Sequence, residues 1–269
     1  MDVEVMEPFG ARIVGLDPSQ PLPDRDRRTL RDAMDRHHLL VAHLPGLTPE
    51  GQQGVAAAFG PLLDESKDGA GWTLVSDREG GVIGEGPLLF HSDLAFTPEP
   101  LTAISLYALE VPAGGTATSF ADGARAAARL PPELRDAVAG RCALHCYPLT
   151  DARGDERYRV ANLDPGAPRA EHPVVWEHPR TGEPVLYVNA MQTDSIVGLP
   201  EAESEALLER LWTVLYDPGN VYRHDWQVGD LVVWDNVAVQ HARGDVRPGT
   251  GRTLRRVPVG ALAVSLRAV

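Results

Sequence analysis

The chain has 269 residues, 43% of them hydrophobic, and a formal net charge of -13. That length and apolar content can bury a sizeable core without disulfides or oligomerisation, and they suit a single domain over residues 1–269, with a homo-oligomer compatible but not required. The acidic balance disfavours nucleic acid and anionic membrane as partners, no stretch nears the ~18 apolar residues of a membrane span, and Met1, Asp2, Val3 and Glu4 lack an export signal's basic and apolar regions, so a cytoplasmic protein with a small-molecule partner is expected.

An apolar stretch at 11–17 ends in a Pro-rich turn, after which Asp24 is read as the cap of a charged helix to about 38, with Leu30, Ala33, Met34 and His37 at helical spacing. A strand is expected at 39–44. Thr48 followed by Pro49 starts a second helix that Gly60 and Pro61 stop after Phe59. Residues 64–90, rich in Gly, Asp and Glu with one strand-like patch at 72–76, read as a long functional loop or flap.

The remainder is mainly β. Short runs at 102–109, 143–147, 174–177, 185–189, 220–226, 230–234 and 253–259 are separated by turn signals such as 179–182 and Gly229. Cys142 and Cys146 fall four apart in one of these strands, roughly 13 Å from each other, too far for a disulfide, and read as reduced and buried. A second loop, 148–171, gathers Asp151, Arg153, Asp155, Glu156, Arg157 and Arg159 without apolar periodicity, as a lid or a solvated surface loop would. One clear helix at 201–216 follows Pro200, with Leu207, Leu208, Leu211, Val214 and Leu215 forming its apolar face. Many short strands with few helices predict a mainly β protein with flanking helices, folded as a double-sheet jelly roll.

Residues two apart in an extended segment point to one side, so His91 and Asp93 can offer an imidazole and a carboxylate to one ion. His241 is the best third ligand, because it ends a segment, 234–240, whose polar residues interrupt an apolar strand context. Two histidines and one carboxylate on one face of an octahedron leave three positions for other ligands, the arrangement of non-haem iron(II) oxygenases. His145, His172, His178 and His224 read as packing groups, since the residues two positions later, Tyr147, Val174, Arg180 and Trp226, are not carboxylates.

Arg252 stands eleven positions after His241 and is followed by Thr253, Leu254, Arg255 and Arg256. Period two puts Arg252, Leu254 and Arg256 on one face and Arg255 on the other. Five arginines between 243 and 256 (Arg243, Arg247, Arg252, Arg255, Arg256) against one acid, Asp245, make a local seat for an anion, and a guanidinium fork matches one end of a dicarboxylate. The plain alternative is an edge strand whose arginines deter aggregation.

Taken together, these features resemble the taurine dioxygenase-like (TauD/TfdA) family of Fe(II)/2-oxoglutarate-dependent oxygenases. The resemblance spans nearly the whole chain: Gly10 to Asp17, Leu47 to Gly60, the His91-Ser92-Asp93 motif, Gly114 to Asp122, His172 to Val175 with His178, Pro179, Thr181 and Gly182, Leu186 to Asn189, Trp234 to His241, and Arg252 to Arg256. It implies a double-stranded β-helix of cupin-like form, metal ligation by His91, Asp93 and His241, and 2-oxoglutarate carboxylate binding by Arg252. The family's threonine beyond a Gly-Gly pair is assigned to Thr118 when counted back from Phe120 and Asp122, and to Thr116 or Ala117 when counted forward, because Gly114 to Asp122 is one residue longer than usual. Arg256 matches an arginine near the co-substrate and, in some members, an acidic group of the substrate. Pro87 stands where sulfonate-binding members carry Asn, which speaks against taurine.

The resemblance implies oxidation of an unactivated C–H bond by O2, with 2-oxoglutarate converted to succinate and CO2. Hydroxylation is the leading outcome, and desaturation or cyclisation are variants. Halogenating relatives lack the carboxylate that this chain keeps at Asp93. Arg157, Arg159 and Arg256 suggest an anionic or amino-acid-like substrate, and Leu94, Phe96, Tyr187, Met191 and Gln192 are candidates for the pocket wall. Two other function classes carry the same triad: a cupin-like zinc or manganese hydrolase or isomerase, and a degenerate binding protein on the same fold.

Overall fold

The computed structural model describes residues 1–66, 68–76, 86–150, 152, 154–244 and 251–261. In chain order its elements are β1 (Asp2–Val5), β2 (Ala11–Val14), α1 (Asp24–His37), β3 (Leu39–His43), α2 (Pro49–Ala56), β4 (Thr73–Ser76), β5 (Leu88–His91), β6 (Ala103–Glu110), β7 (Ala117–Asp122), α3 (Gly123–Ala128), α4 (Pro132–Val138) and β8 (Cys142–Cys146). They continue with β9 (Arg169–Pro173), β10 (Val175–Glu177), β11 (Pro184–Leu186), β12 (Thr193–Ile196), α5 (Glu201–Leu215), β13 (Val221–Asp225), β14 (Asp230–Asp235), β15 (Val239–Arg243) and β16 (Thr253–Val259). Among the described residues no helix is long and apolar enough to cross a membrane.

Two sheets carry the architecture: seven strands in the order β1-β2-β3-β14-β6-β16-β4, and four in the order β13-β7-β15-β5. Strand β14 shows why its sequence is apolar throughout. Val232 and Trp234 point into the core between the sheets with Leu106, Phe120, Val239 and Leu254, while Leu231 and Val233 point outward to Leu30 and Met34 of α1 and Val55 of α2. Both faces are covered, which removes the polar alternation of a one-sided strand. Replacing the fully buried Trp234 by Ala would cost about 3–5 kcal/mol on that account. Helices α3, α4 and α5 form a third apolar cluster with Leu186 and Val188. The mainly β jelly roll expected from the strand pattern is the observed fold class.

Several boundaries differ from expectation for identifiable reasons. Helix α1 begins one residue after Pro23, which occupies the cap without a side-chain bond, so Asp24 lies inside the first turn. Thr48 does cap α2, its Oγ1 accepting from Gly51 N at 3.1 Å. The 64–90 stretch contains β4 and the start of β5, and 148–171 contains the start of β9, because pairing with β16, β15 and β8 supplies what local composition withholds. Lys67, 77–85, Asp151 and Arg153 of those two stretches, with Asp245 and Arg247, lie outside the described residues. Helices α3 and α4 were not expected; they span six and seven residues, too short for periodicity to register. Strand β16 lies between β6 and β4, so its arginines are interior rather than on an edge.

Candidate metal centre

The segment 234–240 is not one strand. It turns after Asp235 and resumes at Val239, which sets β15 antiparallel to β5 with His241 directly opposite His91. Their rings lie 4.1 Å apart between centroids, and Trp234 backs His241 at 4.8 Å. Asp93 follows just beyond the end of β5, and Leu94 after it adopts a left-handed conformation, φ 60°, which few non-glycine residues accept. That bend is held from the β14–β15 turn: Asn236 Oδ1 accepts from Asp93 N at 2.9 Å, and its Nδ2 donates to the carbonyls of Asp93 and Leu101 at 2.9 and 3.0 Å.

Ligand atoms of His91, Asp93 and His241 converge to within 4.8 Å of one another. Nε2 of His91 and of His241 lie 3.3 and 3.8 Å from Asp93 Oδ1. His91 Nδ1 donates to the Leu89 carbonyl at 2.8 Å, which fixes the ring and turns Nε2 toward the carboxylate. Burial, reinforced by His91 beside it, pushes the His241 imidazole down to about 3, so it is neutral and can offer a lone pair. Burial alone would raise Asp93, but the hydrogen bond from His91 and the charge of Arg256 outweigh it and hold the carboxyl well below the usual carboxylate range. A divalent cation suits this donor set of two imidazole nitrogens and a carboxylate oxygen that converge on one point. Two imidazoles and one carboxylate are the donors that non-haem iron(II) accepts.

His91 and Asp93 line a cavity of about 480 Å³. Leu94, Phe96, Met191 and Gln192 line it, as expected, together with Leu88, Tyr147, Tyr158 and Arg256. Tyr187 does not. Its ring is buried behind the triad against His145, His172 and Trp176, so it is a core residue. Arg157 and Arg159 are not in the cavity either. Arg157 donates to the carbonyls of Thr193 and Asp194 and to Glu205 at 2.7, 2.5 and 2.6 Å and lies 4.9 Å over the Trp212 ring. Arg159 pairs with Glu205 and Glu201 at 2.6 and 3.2 Å. These bonds tie 157–159 to α5 and correct the expectation that both arginines face a substrate.

The arginines of β16 alternate as period two requires. Arg255 turns outward to Gln52 Oε1 and the Leu47 carbonyl, both at 2.7 Å, whereas Arg256 turns inward to Asp93 Oδ2 at 2.8 Å and to Glu65. Arg252, just before β16, is buried. Thr118 shares a face of β7 with Phe120, which pairs with His241, and its Oγ1 accepts from Trp226 Nε1 at 2.9 Å, leaving its own proton to donate. Thr116 precedes β7. His145, His172, His178 and His224 bond respectively to Thr193, the Thr97 carbonyl, Asp235 and Asp230, as packing groups do. Sequence reasoning missed Asn236 and Glu65. The first was signalled only as a polar residue in an apolar context, the second not at all.

The profile of the family described as "Taurine catabolism dioxygenase TauD, TfdA family" matches residues 2–257. The alpha-ketoglutarate-dependent 2,4-dichlorophenoxyacetate dioxygenase of Cupriavidus pinatubonensis is 31% identical over 92% of this chain and 93% of its own. Among solved structures, a taurine dioxygenase from Burkholderia xenovorans superposes with TM-score 0.80 and 27% identity, covering 100% of this chain and 94% of that one. AAD-2 in complex with Mn(II) and N-oxalylglycine superposes with TM-score 0.81 and 26% identity over 98% of this chain and 100% of that one. The chain belongs to the TauD/TfdA family and is a 2-oxoglutarate-dependent dioxygenase, an enzyme type that works with iron(II), 2-oxoglutarate and O2.

Proposed function

We propose that this dioxygenase hydroxylates an unactivated C–H bond of a small organic molecule, with His91, Asp93 and His241 holding iron(II) and Arg252 and Thr118 holding the distal carboxylate of 2-oxoglutarate. The observation that carries this reading is the convergence of three ligand atoms within 4.8 Å, two of them from residues that line a mostly apolar cavity. Iron(II) with 2-oxoglutarate supplies the oxidising chemistry, in which one atom of O2 ends in succinate, formed with loss of CO2, and the other in the product.

The protein's own residues bind, orient and exclude water. Leu89 and Asn236 set the ligand geometry, Phe96, Tyr147 and Tyr158 form an aromatic wall, and Arg256 sits between Asp93 and Glu65. Thr73 and Leu88, and Leu149 and Tyr158, contribute to the cover from the described parts of 64–90 and 148–171. Gly154 seats the second stretch: a Cβ there would meet the Pro87 carbonyl at 2.7 Å, and the Gly154 carbonyl accepts from Leu89 N at 2.7 Å. Desaturation and cyclisation would use the same site with the substrate differently posed.

Succinate formation with iron(II), ascorbate and 2-oxoglutarate, screened over small organic molecules with His91→Ala as the blank, tests the reading. O2-dependent succinate release that rises with one class of molecule is expected. Turnover of substrate in the absence of O2 would overturn it in favour of a metal hydrolase or isomerase.

A further inference from the structure

The expectation of an anionic substrate rested on Arg157, Arg159 and Arg256, and all three guanidinium groups are already engaged by carboxylates. The first two are held by Glu205 and neighbouring acceptors outside the cavity. Arg256 is the one that reaches it. Its Nη2 donates to Asp93 and its Nη1 to Glu65, so both prongs of the fork are committed. Arginine grips a carboxylate or sulfonate best through two such parallel donors. Metal binding by Asp93 does not free the fork on the cavity side, because Glu65 remains.

Glu65 is placed there by its own segment. Leu62 bridges to Val259 and Leu63 N donates to the Pro258 carbonyl at 3.0 Å, which lays 62–63 along the end of β16. Asp64 Oδ1 then accepts from Ser66 N at 2.9 Å and Gly71 N at 3.2 Å, closing a turn with Glu65 inside it. The Glu65 side chain is 28% exposed and lines the cavity with Arg256, whose side chain is 10% exposed. In that setting a carboxylate is screened far less than at the surface. With Arg252 set against the distal carboxylate of 2-oxoglutarate, the loaded centre carries no net charge, and the guanidinium at the cavity wall, Arg256, is already held by Asp93 and Glu65. An anion entering there meets the Glu65 carboxylate and a guanidinium already engaged by two acids.

The rest of the lining fits an uncharged ring. Phe96 and Tyr147 stack at 4.6 Å between centroids, Tyr158 meets Tyr147 edge-on at 5.3 Å, and Leu88, Leu94 and Met191 complete an apolar surface. Resting on the oxygenase reading above, we infer that Glu65 is a specificity-determining residue that occupies Arg256 and restricts the cavity to uncharged, predominantly apolar substrates.

The test compares matched probes that differ only in charge: phenoxyacetate against phenoxyacetamide, and 3-phenylpropanoate against 3-phenylpropanamide. Binding to wild type, Glu65→Gln and Glu65→Ala, each loaded with iron(II) and 2-oxoglutarate without O2, is measured by calorimetry. Wild type is expected to bind each amide at least tenfold more tightly than its acid, and both variants to gain at least tenfold in affinity for the acids. Acid binding equal to or tighter than amide binding in wild type, or no gain in acid binding in either variant, overturns the inference while leaving the oxygenase reading intact. Failure of wild type to bind 2-oxoglutarate in the loading step overturns both.

Discussion

Asp235 and Asn236 are adjacent in the turn between β14 and β15, and each supports a cluster of histidine and carboxylate, yet the two clusters differ in how they are satisfied. On one side, Asp235 accepts from His178 Nε2, Arg180 Nη2 and the backbone N–H groups of Val237 and Ala238, at 2.6–3.1 Å. His178 Nδ1 accepts from the N–H groups of Arg180 and Thr181, so its proton sits on Nε2, and Arg180 also pairs with Asp35. On the other side, Asn236 spends its amide on the backbone around Asp93 and leaves His91, Asp93 and His241 pointing at one another. The same residue types make a closed structural network in one place and an open ligand set in the other. Each carboxylate has an arginine, and what separates them is that backbone N–H groups complete Asp235 Oδ1, whereas Asp93 Oδ1 faces the two imidazoles.

That contrast predicts different kinds of damage. Asp235→Ala leaves His178 and Arg180 without their buried acceptor, which should cost about 3–5 kcal/mol in denaturant unfolding, with any loss of activity following the loss of folded protein. If Asp235→Ala were as stable as wild type, the closed network would not be structural.

His38 extends that network, donating from Nδ1 to Asp122 at 3.0 Å and from Nε2 to Glu183 at 3.3 Å. Burial opposes its charge, but the Asp122 bond and the charges of Asp122, Asp235 and Glu183 outweigh it and raise the imidazole to about 9. Because the folded value lies above the unfolded one of about 6.5, the contribution, roughly 3 kcal/mol, is fully present below about pH 6.5 and is lost as pH rises through about 9. Unfolding of wild type and His38→Gln across that range should therefore show a stability gap that narrows toward alkaline pH. A gap constant with pH would contradict the charge assignment.

A smaller effect is expected at the open site's support. Asn236→Ala releases the Asp93 backbone without removing a ligand, and iron(II) affinity should fall about 10–100-fold, as for other residues that orient ligands from behind. Unchanged affinity would mean that β5 alone positions Asp93.

Much of the open site was legible in the sequence, and the closed one was not. His91 and Asp93 could be paired because period two is a local geometry that survives folding, and the opposite facing of Arg255 and Arg256 followed from the same alternation. The cavity residues Leu94 and Phe96 followed from adjacency to that motif. Asn236 was noticed only as a polar interruption, since its partners, Asp93 and Leu101, are supplied by another strand's end. Arg157, Arg159 and Tyr187 went astray for one reason: their partners Glu205, Glu201 and Trp176 are set by packing of α5 and β10, and no local pattern encodes which charge a loop arginine will meet. The jelly roll itself was readable from many short strands, whereas α3 and α4 depend on tertiary cover. One such device is Gly123, where a Cβ would meet the Leu186 carbonyl at 2.9 Å as α3 starts against β11.

The most direct test of the open cluster is anaerobic iron(II) titration of wild type and His241→Ala, with circular dichroism as the check on folding. Wild type should bind one iron(II) per chain, and the variant, with an unchanged spectrum, should lose at least about a hundredfold in affinity. Equal binding by both proteins would contradict the assignment of His91, Asp93 and His241 as the metal centre.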